Sequence, residues 1–236
     1  MSFQFPAVPA RVLRQDVLAV LRKAILEGDL KPGDRLLEAD VAAQMGISRA
    51  PVREAVRQLE QEGLVDFQPH RGSTVLGVPN EEIDAIYELR AELESRAIRR
   101  ACERITDEQI EELAEHLHRM GRAVEAGDYS AVFEADHAFH ATIQRVAGYR
   151  LLRRMWESMD GLVRVRSYQA FEGEGPANKY FRRTAVSSHV PILAALRARD
   201  ADAAEKAVRD HILEVSERIQ AEDSAAAAHE VHAAAR

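Results

Sequence analysis

The sequence predicts a mainly α-helical protein in two parts: an N-terminal winged helix-turn-helix and a C-terminal all-helical bundle of six or seven helices. Three observations carry this. Glycine and proline crowd into the first third of the chain (Pro32-Gly33, Gly46, Gly63, Pro69 to Gly72, Gly77 to Pro79), which marks a small domain of short elements. From Asn80 onward the chain is written in long Ala/Glu/Arg/Leu-rich segments with helical spacing. The charge divides the same way: residues 1–75 are neutral, and the whole net charge of −7 lies in residues 76–236. The acidic total therefore does not prevent the first part from presenting a local basic face.

Composition bounds the rest. The 236 residues are 46% apolar and 30% charged, which is an ordinary globular balance. No apolar run reaches the ~18 residues of a membrane span, and no basic-then-apolar leader opens the chain. A single cysteine, Cys102, excludes an intramolecular disulfide, so a cytoplasmic location is expected, with no membrane partner. The expected domains are residues 1–76, a linker at 77–79, a helical domain at 80–223, and a frayed low-complexity tail at 224–236.

In the first domain, Val12, Val17, Val20, Leu21, Ala24 and Ile25 line one face of a helix over residues 11–27, which Gly28 ends. Residues 30–37 read as a turn and connector, and residues 38–45 as a second, short helix. Gly46 turns the chain, Ser48 is placed to cap a third helix, and Pro51 falls in its first turn, where a missing N–H costs nothing. Gly63 stops that helix near Glu62. Two short strands at 64–67 and 73–76 flank the turn Gln68-Pro69-His70-Arg71-Gly72.

In the second domain Asn80 is placed to cap a first helix, and Thr106 with Gln109 forms a capping box for a second that ends near Gly127. Further helices are expected over 129–147, 149–171, 179–198 and 201–222, with a loop at 173–177.

The third helix has two faces. Val52, Val56 and Leu59 form the buried one, while Arg49, Arg53 and Arg57 step by four along a neighbouring one. Such a row suits phosphates or guanine edges in a major groove, and the wing tip of His70, Arg71 and Gly72 suits the adjacent minor groove. Solvated arginines paired with Glu54 or Glu60 would give the same pattern. The stretch LKPGDRLLEADVAAQMGISRAPVREAVRQLEQEGLVDFQPHRGSTV resembles the GntR family of bacterial transcription regulators, over about residues 10–76. That resemblance implies that the helix opened by Ser48, with Arg49 and Arg53, binds operator DNA and that the wing at Arg71-Gly72 enters the minor groove. One departure is Ala39, between Glu38 and Asp40, where many members carry an arginine; the contact made by that arginine is not carried over.

Of nine histidines, His140 stands out. Asp136 and His140 lie four apart on a helix face shared with Tyr129, Phe133 and Ile143, so both point inward and need partners. His137 is expected about 100° away on the exposed side. A hydrogen-bonded Asp–His pair would satisfy the two polar groups. His189 at a helix start and His211 in the repeat Val208-His211-Ile212-Val215 also occupy positions where apolar residues belong. Four such O/N ligands suit a divalent cation, zinc first, with nickel or another ion as the alternative, and leave a net charge of about +1 that accepts water or a carboxylate. Arg90, on a face with Ile83, Tyr87, Glu94 and Ala97, either pairs with Glu94 or receives an anionic effector. Arg164, Arg166 and Tyr168 are secondary candidates.

The order Asp136-x-x-Phe139-His140, Ser188-His189-x-x-Ile192, Asp210-His211-Ile212 resembles the FCD ligand-binding domain, the helical effector domain of the FadR subfamily of GntR regulators, over about residues 80–220. The resemblance implies that Asp136, His140, His189 and His211 line a pocket and bind a divalent metal, and that the effector is a small organic or sugar acid. Pro191 is tolerable there only if a helix starts near Ser188. The expected function is therefore a metabolite-responsive regulator, a repressor, that binds a palindromic operator as a homodimer, because one short recognition helix reads too few bases. The alternative is a metal-dependent hydrolase or lyase, which would have no need of the first domain.

Overall fold

The computed structural model describes residues 10–26, 28–68, 72–77, 82–171 and 176–234. The chain divides into two compact units, Met1–Gly77 and Val78–Arg236. The first contains α1 (Ala10–Leu26), β1 (Arg35–Leu36), α2 (Glu38–Met45), α3 (Arg49–Gln61), β2 (Val65–Gln68) and β3 (Gly72–Val75). Of the predicted face of α1, Val17, Leu21 and Ile25 are buried with Val52, Ala55, Val56 and Leu59 of α3, whereas Val20 is 55% exposed. Each fully buried Val, Leu or Ile contributes roughly 1.5–3 kcal/mol. Gly28 and Gly46 end α1 and α2 in the left-handed region, at φ +74° and +66°, which a side chain rarely adopts. The ion pair of Arg22 with Glu62, at 2.7 Å, adds a polar tie between α1 and the end of α3.

The wing departs from expectation. Two strands were predicted, and the sheet has three, in the order β1-β3-β2, all antiparallel. Arg35 and Leu36 of the expected connector pair with Thr74 and Ser73, while Val65 to Gln68 pair with Val75 to Gly72. A two-residue strand has no periodicity to read, so only its pairing partner reveals it.

The second unit contains α4 (Ile83–Arg104), α5 (Asp107–Ala126), α6 (Tyr129–Ala147), α7 (Arg150–Phe171), α8 (Pro176–Thr184), α9 (Val190–Ala198) and α10 (Ala201–Ala234). Helix α4 packs on α6, α7 and α10, and α5 packs on α6 and α9. Tyr87, Ile98, Leu113, Phe139 and Trp156 are among its large, fully buried side chains. The capping box of Thr106 and Gln109 is present in both directions. The Asn80 cap lies outside the described residues; the residue preceding α4 is Glu82, which makes no side-chain capping bond.

Two further expectations are corrected. The single helix over 179–198 is two helices, α8 and α9, with residues 185–189 turning between them. Pro191 is the cause, because it lacks an N–H and its ring would clash with the carbonyl four residues back; it sits in the first turn of α9, behind His189. The tail expected to fray from residue 224 continues α10 to Ala234, since an alanine run favours helix more strongly than any other composition. No helix among the described residues is long and apolar enough to cross a membrane.

Candidate nucleic-acid interface and metal centre

In the first unit, α3 presents the three predicted arginines to solvent. Arg49 opens the helix, is exposed, and has no ion-pair partner among the described residues. Arg53 donates Nε–H to the Glu38 carboxylate of α2 at 3.0 Å, which holds it across the turn, and Arg57 pairs with Glu54 at 3.2 Å. Both pairs are half-exposed or more, so each contributes at most about 1 kcal/mol and can exchange for a phosphate or a base at little cost. Ser48 precedes the helix in extended conformation, and its side chain makes no capping bond, contrary to its predicted role as a cap. Its hydroxyl is exposed beside Arg49. Gly72 opens β3 at φ +83°, with Leu37 Cδ2 3.1 Å from where a Cβ would stand, so glycine is required there by the backbone. His70 and Arg71 lie outside the described residues. Ala39 lies on α2 beside Glu38.

In the second unit, Asp136 and His140 from α6, His189 at the start of α9, and His211 from α10 each offer one ligand atom, and these atoms lie within 4.8 Å of one another. Sequence spacing placed Asp136 and His140 on one face; the fold brings the other two from elements 49 and 71 residues beyond His140. All three histidines are buried, and the Asp136 side chain is 23% exposed. His189 Nε2 lies 3.1 Å from Asp136 Oδ1 and 3.3 Å from His140 Nε2.

The hydrogen bonds on the far sides of the rings fix which nitrogen faces inward. His140 Nδ1 lies 2.5 Å from Glu94 Oε2, a carboxylate that can only accept, so Nδ1 carries the proton. His189 Nδ1 donates to the Ala185 carbonyl at 2.7 Å. Both rings therefore turn a lone pair toward the cluster, and two lone pairs at 3.3 Å repel unless a cation stands between them. His211 Nδ1 is buried without a hydrogen-bond partner. Burial holds the His211 pKa well below the ordinary range, so it is neutral and able to ligate. Burial opposes the charged form of Asp136, but its contacts with His189 and His140 outweigh it and keep the carboxyl ionised. One carboxylate and three neutral imidazoles in mutual reach, one of them with an orphaned nitrogen, fit a divalent transition metal and not a hard alkaline-earth ion.

A cavity of about 40 Å³ adjoins the cluster, lined by Asp136, His189 and His211 and by Arg90, Arg164 and Ser188. That is room for about three water-sized groups, enough for the head of a small acid. Of the two readings of Arg90, the structure shows the pair with Glu94. Its Nε donates to Glu94 at 2.7 Å, while Nη2 is buried without a partner. Arg164 likewise bonds Glu134 through Nη2, and its buried Nε has no partner. Phe133 and Phe181, stacked with centroids 5.3 Å apart, supply an apolar part of the wall. Arg166 is not on this wall, and Tyr168 stands farther along α7.

His137 corrects an expectation. It is half-buried, with Nδ1 2.5 Å from Asp160 and its ring stacked at 5.4 Å on Trp156, because α7 covers the side of α6 that the spacing left to solvent. It takes no part in the ligand cluster. Sequence reasoning saw Glu94 only as a partner for Arg90, and missed Trp156, Tyr180 and Glu214. Tyr180 donates to Glu214 on the cavity wall. Residues so far apart in sequence carry no local signal of meeting.

The comparisons with known proteins agree with both halves of this description. Residues 13–75 match the family model of the bacterial regulatory proteins, gntR family, and residues 85–214 match that of the FCD domain. The chain is 32% identical to the HTH-type transcriptional repressor RspR of Escherichia coli K12, over 93% of this chain and 94% of that protein. It is 31% identical to the HTH-type transcriptional regulator McbR of the same organism, over 76% of this chain and 80% of that one. The solved structure of E. coli McbR/YncC superposes with a TM-score of 0.72 at 27% identity, covering 90% of this chain and 98% of that one.

Proposed function

We propose, from the premise that this chain belongs to the GntR family of bacterial regulatory proteins and is a transcriptional regulator with an FCD domain, that it represses by binding a palindromic operator as a homodimer and responds to a small carboxylate. Arg49, Arg53 and Arg57, with Ser48, face the major groove in this reading, and the wing at His70, Arg71 and Gly72 meets the minor groove. Asp136, His140, His189 and His211 hold one divalent ion, zinc first. The ion supplies a positive centre for a carboxylate, and Arg90 Nη2, with Arg164 Nε behind it, donates to the same anion.

The observation that supports this most is the meeting of four ligand atoms within 4.8 Å beside a cavity lined by Arg90, whose buried Nη2 has no hydrogen-bond partner. A buried cationic donor with nothing to bond is costly unless a ligand completes it. A repressor is favoured by the naming of RspR, with which the chain aligns almost end to end. The hydrolase or lyase alternative is disfavoured by the naming of RspR and McbR as a transcriptional repressor and a transcriptional regulator.

The test is a thermal-shift screen of small organic and sugar acids with zinc present and with chelator, followed by gel shifts on the chain's own promoter DNA with any acid that raises the midpoint. The expected result is a stabilisation by an acid that disappears with chelator and a changed affinity for DNA. Stabilisation by acids that is indifferent to chelator would remove the ion from the effector site, and DNA binding that ignores every stabilising acid would remove the regulatory role.

A further inference from the structure

At the centre of the helical unit lies a fully buried carboxylate, Glu94 of α4. Its Oε2 accepts from His140 Nδ1 at 2.5 Å. Its Oε1 accepts from Arg90 Nε at 2.7 Å and from Trp156 Nε1 at 2.8 Å. The three donors come from α6, α4 and α7. Each has its useful end elsewhere. His140 turns Nε2 toward Asp136 and His189, and Arg90, which lines the cavity, has a buried Nη2 without a partner.

We propose that Glu94 is a positioning residue that sets the tautomer of His140 and the direction of Arg90 through one carboxylate, and so couples the metal centre to the effector side of the cavity. The proposal rests on the metal-and-effector reading above. A carboxylate facing Nδ1 forces the proton onto that nitrogen and leaves Nε2 with its lone pair aimed into the cluster, the only tautomer that can ligate there. The same group fixes the guanidinium by its Nε edge, and Trp156 fixes the carboxylate in turn. An aliphatic residue at position 94 would fill the space but leave three buried donors unanswered. A glutamine would do something more specific. With Oε1 retained toward Arg90 and Trp156, its NH2 would face His140 Nδ1, which must then accept. The proton moves to Nε2 and points into the ligand cluster.

The coupling is energetic and reciprocal. Whatever draws His140 toward an ion also moves the acceptor of Arg90, and whatever an anion does to Arg90 is felt at His140.

The experiment uses the full chain with zinc as the probe. Long-range ¹H–¹⁵N NMR on the zinc-free protein reads the His140 tautomer, and competition with a zinc-binding indicator reads affinity for wild type, E94Q, R90Q and the double variant. Wild type is expected to carry the His140 proton on Nδ1, and E94Q to carry it on Nε2 with zinc affinity 10- to 100-fold weaker. R90Q is expected to change zinc affinity in the wild-type background and to have a different effect, near zero, in the E94Q background. If E94Q does not fold, the wild-type tautomer still decides, since a proton on Nε2 of His140 overturns the proposal. It is also overturned if E94Q keeps Nδ1–H, if E94Q binds zinc as wild type does, or if the Arg90 and Glu94 effects simply add. Failure of wild type to bind zinc or another divalent ion would strike the metal reading instead, and the tautomer comparison would still judge Glu94.

Discussion

The polar groups of α3 and those of α6 have opposite surroundings. Arg49, Arg53 and Arg57 stand in water, held by single carboxylates or by none. Asp136 and His140 stand in a core, where three neighbouring polar groups are aimed by others: Glu94 aims His140, the Ala185 carbonyl aims His189, and Arg90 is aimed by Glu94. An exposed cation costs little to keep ready and is easily re-paired, which suits a surface that must meet a long polyanion. A buried cluster is costly to assemble and stable only when completed, which suits a site that must recognise one small ligand.

The sharpest way to break this contrast is at α3. Arg49→Ala and Arg53→Ala are each expected to remove a contact that contributes about 1–3 kcal/mol per half-site, twice in a dimer, so gel shifts should show operator affinity falling roughly 30-fold to 25,000-fold. The thermal midpoint should barely move, because Arg49 has no ion-pair partner among the described residues and the Arg53–Glu38 pair is half-exposed. Wild-type gel shifts from both variants would take the reading role away from α3. A large loss of stability would mean that these arginines are held as firmly as the core cluster.

The second test reverses the signs. Removing the ion with excess chelator should lower the thermal midpoint while Arg49 variants keep their metal. At zinc concentrations 100 to 1,000 times Kd, the ion contributes about 3–4 kcal/mol to folding. His140→Ala should lower the midpoint and abolish the further response to chelator. His137→Ala should also destabilise, since it strips Asp160 of its 2.5 Å partner and Trp156 of its stacked ring, but its response to chelator should survive. Calorimetry of both variants with and without chelator separates the two neighbours on one helix.

A smaller effect is expected at Arg90. Arg90→Ala should leave zinc bound but weaken the stabilisation by a responsive acid by about 1.5–3 kcal/mol, the value of a hydrogen bond to a charged group, read as the rise in the acid concentration needed for a given midpoint shift. An unchanged acid response would assign the anion to the ion and Arg164 without it.

The smallest effect concerns His116, buried against Thr142 at a 3.2 Å contact. Burial first, and then the charge of Arg119, holds its pKa below the ordinary histidine value. A histidine depressed in the folded state is protonated first in the unfolded chain. Stability is therefore unaffected above about pH 6.5 and declines as pH falls from there toward the folded pKa. His116→Gln should make the plot of thermal midpoint against pH shallower between about pH 7 and 5 and leave it unchanged above. A slope as steep as wild type would place the acid sensitivity elsewhere.

Much of this molecule is written locally. Helix spacing shows the core of α3 and its arginine row, and the turn glycines Gly28 and Gly46 and the capping box at Thr106 are where their residue types require them. The four metal-competent residues could be picked out one at a time, because each breaks an apolar pattern and the loss of burial energy demands a compensating partner. What no local pattern contains is which partner. The strand Arg35–Leu36 exists through Thr74 and Ser73, His137 is covered through α7, and Glu94 becomes the hub of the cluster through His140 and Trp156, 46 and 62 residues away. Periodicity records which face of an element avoids water, and hydrogen bonds and ligand distances are settled only when two such faces meet.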